Sequence, residues 1–549
     1  MRFRRTRQGN KATEGPGILS LALLATLATG ACLSQVTLPP AEYRNPILPL
    51  DLSDPDVIRV GEDYYMTVSS FHEVPGLPIL HSRDLVHWSI VGHAIDRLPS
   101  PDFDVPQHGN GVWAPALRFH RGTYYIYYGD PDRGIFVVTA RELRGPWTRP
   151  HLVKIGKGLI DPCPLWASNG RAYLVHAWAK SRAGLNSVLT VHEMALDGKS
   201  VLDTGTTVFD GSEHHPTIEG PKFYERKQYT YIFAPAGGVK SGWQTVLRSR
   251  SPFGPYEARI VMAQGTTSIN GPHQGGWVET PAGIGWFVHF QDRLAHGRIV
   301  HLQPMVWKDD WPVIGEDRDG DGTGEPVASS LVPVVASLDR SYLRFSDEFT
   351  DSTLSPVWQW NANPKPEWSS LSTRPGWLRL MSVAIADTTQ NLWTVPSLLK
   401  QRIPDLSFVA QVRVDVEGFM AGSRFVFAAY GMNYSGIELE RTTAGVMARR
   451  ITCVDAHLGR KPMIDDSVSI SETVVRLQIT GDGAGGCTFQ IKGDDTAAHT
   501  LGTRFTLREG RWIGARIVLG SLAFNRSQSR GWADVDWIKF TTERKEVFR

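Results

Sequence analysis

Apolar and polar positions alternate along the first three hundred residues in short bursts, and the bursts repeat. "DPDVIRVGEDYYMTVSS" begins at 54, "APALRFHRGTYYIYYGD" at 114, "DPCPLWASNGRAYLVHAW" at 161, "EGPKFYERKQYTYIFAP" at 219 and "HQGGWVETPAGIGWFVHF" at 273. Each opens on a polar or small residue, often beside Pro. A short apolar strand follows, then a turn rich in Gly or charge, then a strand led by aromatic residues. A second echo lies downstream of three of them, in "HSRDLVHW" from 81, "TARELRGPW" from 139 and "RSRSPFGPYE" from 248. Strand–turn–strand units recurring every ~55 residues are the pattern of propeller blades. No heptads or long amphipathic helices compete with it. Five units predict a five-bladed β-propeller.

The pattern changes after "GEPVASSLVPVVASL". Short alternating strands such as "SFVAQVRVDV", "SRFVFAAYG", "VVRLQIT" and "RWIGARIVLG" are separated by Gly, Asp and Ser turns. This predicts a β-sandwich. The fold class is therefore all-β, with a propeller over 44–330, a linker over 331–343 and a sandwich module over 344–549.

Composition narrows the function classes. A chain of 549 residues is too long for one core. Its 58 basic and 56 acidic residues nearly cancel, which gives no sign of a nucleic-acid or polyanionic partner. The 18 Trp, 15 Tyr and 22 Phe suit β cores, and some suit flat surfaces for sugars.

The basic "MRFRRTRQGNK", the apolar "GILSLALLATLA" and "TGAC" resemble a bacterial lipoprotein signal over 1–32, with Cys32 as the lipid anchor. Thr29 stands where Leu is usual, and an anchor helix is the alternative. Residues 33–43 read as a tether. The expected location is periplasmic, attached to the outer membrane, or secreted. Of the remaining cysteines, Cys163 reads as a small buried residue, and Cys453 and Cys487 are available for a disulfide.

In a propeller the innermost strands line a central channel, so residues at strand starts converge on one mouth. The repeat position carries Asp54, Ala114 (after Trp113), Asp161, Glu219 and His273. Any single "DP" is turn chemistry; three acids at one repeat position point to a site. Two carboxylates across a sugar-sized cavity support glycoside hydrolysis, one activating water and the other protonating the departing oxygen. A third helps to keep the acid protonated. Asp51 and Asp56 read as turn or solvent contacts. "EDRDGDGTGEP" at 316–326 starts like a calcium loop, but Ala328 stands where its twelfth-position carboxylate belongs, so it reads as a solvated turn.

"NPILPLDLSDPDVIRVGEDYYMTVSSF", "PGLPILHSRDLVHW", "GVWAPALRFHRGTYYIYYGD", "GLIDPCPLW" and "TIEGPKFY" occur in an order that resembles glycoside hydrolase family 43, the β-xylosidases and α-L-arabinofuranosidases. The resemblance implies Asp54 as general base, Glu219 as general acid and Asp161 as the residue that tunes and orients the acid. It implies inversion at the anomeric carbon, with the two carboxyls about 6.5–9.5 Å apart. It also implies Phe71 and Trp113 as pocket walls and Arg298 as a hydroxyl-binding donor. His273 falls where many members hold a largely water-ligated calcium ion; one imidazole is poor support for calcium, which prefers oxygen, and no cofactor is required. "SDEFTDSTLSPVWQWNANPKPEWSSLSTRPGWLRL" resembles the concanavalin-like module of such β-xylosidases, which narrows the pocket. The resemblance implies an exo-acting enzyme releasing terminal β-D-xylose or α-L-arabinofuranose from an oligosaccharide or polysaccharide. An arabinan-degrading hydrolase and a non-catalytic sugar-binding propeller are the alternatives.

Overall fold

The structure is a computed structural model that describes residues 41–333, 342–385, 389, 391–494, 497–523 and 531–544. The signal, the lipid anchor at Cys32 and most of the tether lie outside the described residues, as does most of the linker.

Five four-stranded antiparallel sheets, each a simple meander, follow one another in chain order. Blade I runs from Asp56–Val60 to Ser89–Ile95, and blade II from Trp113–His120 to His151–Ile155. Blade III runs from Leu159–Trp166 to Thr206–Asp210, and blade IV from Lys222–Arg226 to Glu257–Met262. Blade V runs from His273–Glu279 to Trp311–Ile314. The expected five-bladed propeller is thus present.

The segment before blade I closes the ring. It lies against the third strand of blade V, where Leu48 and Val300 exchange backbone hydrogen bonds and Leu52 N–H donates to the Arg298 carbonyl at 2.8 Å. Outside the blades, Glu42–Arg44 pairs antiparallel with Ser329–Leu331, and Tyr43 is buried. In the loop at 317–321 the Asp317 carboxylate accepts the N–H groups of Gly320 and Gly322. Asp319 and Asp321 accept those of Asp321 and Thr323.

The C-terminal part is a concanavalin-like sandwich of an eight-stranded and a seven-stranded sheet. Strict alternation makes its faces. Ser407–Asp415, for example, buries Phe408, Ala410, Val412 and Val414 and turns the intervening residues outward. One apolar cluster runs from Leu50, Val57 and Trp88 of the propeller to Trp358, Trp360 and Leu399 of the sandwich. A backbone bridge between Val74 and Trp360 crosses the same seam. Cys453 and Cys487 sit in opposite sheets as buried free thiols, so the disulfide left open by the sequence does not form.

Candidate active site

The strand starts converge, but by a backbone rule that the repeat alignment only half captures. In every blade one residue at the channel mouth has a left-handed backbone: Asp54 (φ 58°), Ala114 (31°), Asp161 (56°), Gly220 (58°) and Gln274 (32°). Such angles strain any residue but glycine, and cluster where a site must aim side chains. In blades II, III and V a bulge accompanies the kink. By backbone angle the equivalent residue in blades IV and V is Gly220 or Gln274, one place beyond Glu219 or His273. That offset corrects the sequence alignment and separates the acids. Asp54 and Asp161 are turned inward, with Asp161 2% exposed, whereas the Glu219 side chain keeps 34% of its surface open to the cavity. Glycine is needed at 220 on two counts, since a Cβ there would stand 2.5 Å from the Gln274 side chain.

One cavity of about 130 Å³ is lined by Asp54, Phe71, Trp113, Asp161, Glu219, His273 and Arg298, together with Gln274 and Trp512. All seven residues singled out in the sequence thus share a single hollow. Sites for drug-sized ligands run to roughly 300–1,000 Å³; this one has room for a sugar ring rather than a chain.

The carboxylates are lashed across blades. Asp54 Oδ1 accepts from Arg298 Nη1 at 3.0 Å and Oδ2 from the Ser69 hydroxyl at 2.5 Å. Ser69 Oγ in turn accepts the Ala114 N–H at 2.7 Å, tying blade I to blade II. Asp161 Oδ2 accepts the Gly220 N–H at 2.8 Å, with Gln274 Nε2 at 3.4 Å. Burial pushes the Asp161 carboxyl well above the usual carboxylate range, the charges of Glu219 and Asp54 add to that, and the Gly220 N–H and Lys222 pull the other way.

His273 Nε2 stands 2.9 Å from Glu219 Oε1, and its buried Nδ1 has no partner. Among the described residues no cluster of three or more carboxylate, imidazole or thiol donors includes His273. These residues do not form an oxygen cage of the kind calcium takes. What the geometry does give His273 is a hold on Glu219.

Asp51 and Asp56 are not turn or solvent contacts. Asp56 is fully buried one layer beneath Asp54, where Oδ2 accepts from Leu117 N and Arg118 Nη1. Asp51 is 3% exposed and accepts the backbone N–H of Arg298 at 2.9 Å. A carboxylate can be buried when it is paired and hydrogen-bonded.

The rings form the rim. Phe71 and Trp113 meet edge to face at 6.3 Å, and Trp113 meets Trp512 in the same way at 6.3 Å. Trp512 comes from the sandwich and is 48% exposed. Sequence reading missed it, along with Ser69 and Gln274. Its one signal is a tryptophan set in the polar turn "LREGRWIG". A second cavity of about 400 Å³ shares Val239, Arg298 and Trp512 with the first, and none of the three acids lines it.

Comparison with known proteins agrees with this geometry. The family model described as glycosyl hydrolases family 43 matches residues 43–312, and that of the beta xylosidase C-terminal concanavalin A-like domain matches 346–541. A protein of Xylanibacter ruminicola that carries a beta-xylosidase designation is 38% identical, covering 86% of this chain and 85% of its own. A beta-xylosidase of Formosa agariphila is 32% identical, covering 91% and 90% respectively. The solved structure of a Bacteroides ovatus xyloglucan-locus family 43 protein superposes with a TM-score of 0.79 at 26% identity, over 91% of this chain and 100% of that one. Sequence, fold and site together make this chain a glycoside hydrolase, and it belongs to glycosyl hydrolase family 43.

Proposed function

We propose that the protein is an exported, exo-acting pentosidase that releases terminal β-D-xylose or α-L-arabinofuranose by single-displacement inversion. The observation that carries this reading is the shape of the site: three carboxylates face one cavity of about 130 Å³ whose open side is narrowed by Trp512. The names of the relatives agree with it, since one is a non-reducing end alpha-L-arabinofuranosidase of Bacteroides ovatus, 30% identical over 94% of this chain. Export rests on residues 1–32, and cell fractionation tests that part.

In this mechanism Asp54 takes a proton from a water molecule as the water oxygen bonds to the anomeric carbon. The glycosidic C–O bond breaks, and Glu219 gives its proton to the departing oxygen. Arg298 holds Asp54 and offers its remaining N–H groups to sugar hydroxyls. His273 fixes one oxygen of Glu219, leaving the other for the leaving group. Asp161 sits behind both as the carboxyl that resists ionising. Phe71 and Trp113 wall the sugar that is released, and the larger cavity past Trp512 receives what departs.

Proton NMR of the first-formed sugar tests the scheme directly, with nitrophenyl β-D-xyloside and α-L-arabinofuranoside as substrates. The anomer opposite to that of the substrate is expected, and a retained anomer would exclude single displacement. A second expectation concerns the rim. Trp512→Ala removes an indole that contacts the leaving portion, so KM for an oligosaccharide rises about tenfold, the upper end of the ~0.5–1.5 kcal/mol of an aromatic contact. Nitrophenyl monosaccharides fill less of that cavity and change less. Equal effects on both substrates would remove Trp512 from leaving-group recognition.

A further inference from the structure

The seam between propeller and sandwich buries an ionic network with an unusual composition. Three sandwich cations, Lys400, Arg402 and Arg516, are at most 2% exposed, and two of them, Lys400 and Arg516, pair with propeller carboxylates, Asp51 and Glu73, that are at most 3% exposed. Buried ion pairs are weak contributors to stability, because desolvation offsets most of their attraction. What they supply is direction, and here the directions lead to the active site.

Arg516 is the hub. Its Nη2 donates to Asp51 Oδ2 at 2.9 Å and to Glu73 Oε2 at 2.9 Å, and its Nε lies 3.1–3.2 Å from both Glu73 oxygens. Lys400 Nζ takes Glu73 Oε1 at 2.8 Å, and Arg402 Nε donates to the Asp51 carbonyl at 2.8 Å. Burial opposes the charge on Glu73, but Arg516 and Lys400 outweigh it and hold the carboxyl well below the usual range.

Each arm of the hub ends at a wall of the pocket. Asp51 lies three residues before Asp54, and its other oxygen accepts the Arg298 backbone N–H. Arg298 in turn grips Asp54. Glu73 lies two residues after Phe71, whose backbone is bonded both ways to Val112, next to Trp113. Arg516 itself lies four residues after Trp512, on a segment anchored where Ala515 N–H donates to the Ala295 carbonyl at 2.7 Å. Four groups lining the sugar cavity (Asp54, Phe71, Arg298 and Trp512) thus trace back to one guanidinium.

We propose that Arg516 is a positioning residue for hydrolysis: by holding Asp51 and Glu73 at once, the sandwich sets the placement of Asp54 and Arg298 in the propeller's site. The sandwich is on this view part of the catalytic assembly rather than an appended cover. The inference rests on the proposed roles of Asp54 and Arg298. A planar guanidinium can serve two carboxylates in fixed directions, which a lysine ammonium cannot, and a misplacement of about 1 Å at a reacting group costs up to ~10²-fold in rate.

The test compares full-length Arg516→Lys and Glu73→Gln with Asn363→Ala. Asn363 bonds the same seam, to the backbone of Leu98 and Phe103 and to the Asp104 carboxylate, none of which lines the sugar cavity. Measurements are made at 25 °C, well below each melting point, on whichever glycoside the wild type turns over best. Arg516→Lys and Glu73→Gln are expected to lower kcat about ten- to a hundredfold, and to weaken calorimetric binding of the monosaccharide product. Asn363→Ala lowers Tm and leaves kcat unchanged. Glu73→Gln conserves volume and hydrogen-bonding atoms, so it decides the matter should Arg516→Lys fail to fold. Wild-type kcat and product affinity in the folded variants, with only Tm reduced, would overturn the proposal. A wild type inactive on all pentosides but binding another monosaccharide would refute the pentosidase reading instead, and product affinity would still report on Arg516.

Discussion

Glu219→Gln is expected to lose about 10²–10⁴-fold in kcat on an oligosaccharide and to keep most of its rate on a glycoside with a strongly acidic phenol as leaving group. Asp54→Asn is expected to lose a comparable factor on both. The difference follows from where each carboxyl acts. A sugar alkoxide is a poor leaving group and needs the proton of Glu219 as the bond breaks; a nitrophenolate departs without it. The attacking water needs a base whatever is leaving, so the loss at Asp54 is insensitive to the leaving group. Glutamine keeps an oxygen for His273 at 2.9 Å, and asparagine keeps acceptor and donor capacity beside Ser69 and Arg298. Both variants should therefore fold, which circular dichroism and Tm would verify. Steady-state kinetics on the two substrate classes is the measurement. An equal loss for Glu219→Gln on both would remove it from the role of acid, and an Asp54→Asn variant that spared either substrate would remove it from the role of base.

The acids were readable because a repeat fold converts sequence period into spatial convergence. Asp54 and Asp161 occupy the same kinked position in their blades, so aligning "DP" with "DP" also aligned their geometry. The alignment slipped in blades IV and V, where composition alone does not show which of Glu219 and Gly220, or His273 and Gln274, takes the left-handed angle. Asp51 and Asp56 were misread for a related reason. Their partners, Arg516 and Arg118, lie 465 and 62 residues away, and charge in a sequence reads as solvent-facing until its counter-ion is placed. Trp512 was invisible on the same grounds: its value lies in being delivered across the seam between two domains, and no local pattern encodes that seam. The Cys453–Cys487 pairing failed because equal buriedness does not bring two strands of opposite sheets together.

Asp161→Asn should make the enzyme more stable and much slower. In the folded chain burial, and then the charges of Glu219 and Asp54, push the Asp161 carboxyl well above its ordinary 3.8. The unfolded chain therefore gives up this proton more readily than the folded one. Wherever the unfolded state binds fewer protons, stability falls as pH rises. The contribution of Asp161 is fully present below about pH 3.8 and is lost as pH climbs through the raised folded value. Asparagine does not titrate, and its carbonyl can still accept the Gly220 N–H that Asp161 holds at 2.8 Å. The variant should thus melt higher than wild type at pH 7, with the gap closing as the two are compared at progressively lower pH. Activity moves the other way, by on the order of 10²-fold in kcat, because Asp54 and Glu219 lose the carboxyl that shares their cavity and orients the acid. A site that tolerates an expensive buried carboxyl does so because chemistry needs it, so stability and rate should trade against each other at this one atom pair. Thermal melts from pH 4 to 8 beside kcat on a pentoside decide it: an Asp161→Asn protein that melted no higher than wild type at pH 7 would show that the carboxyl carries no such burden.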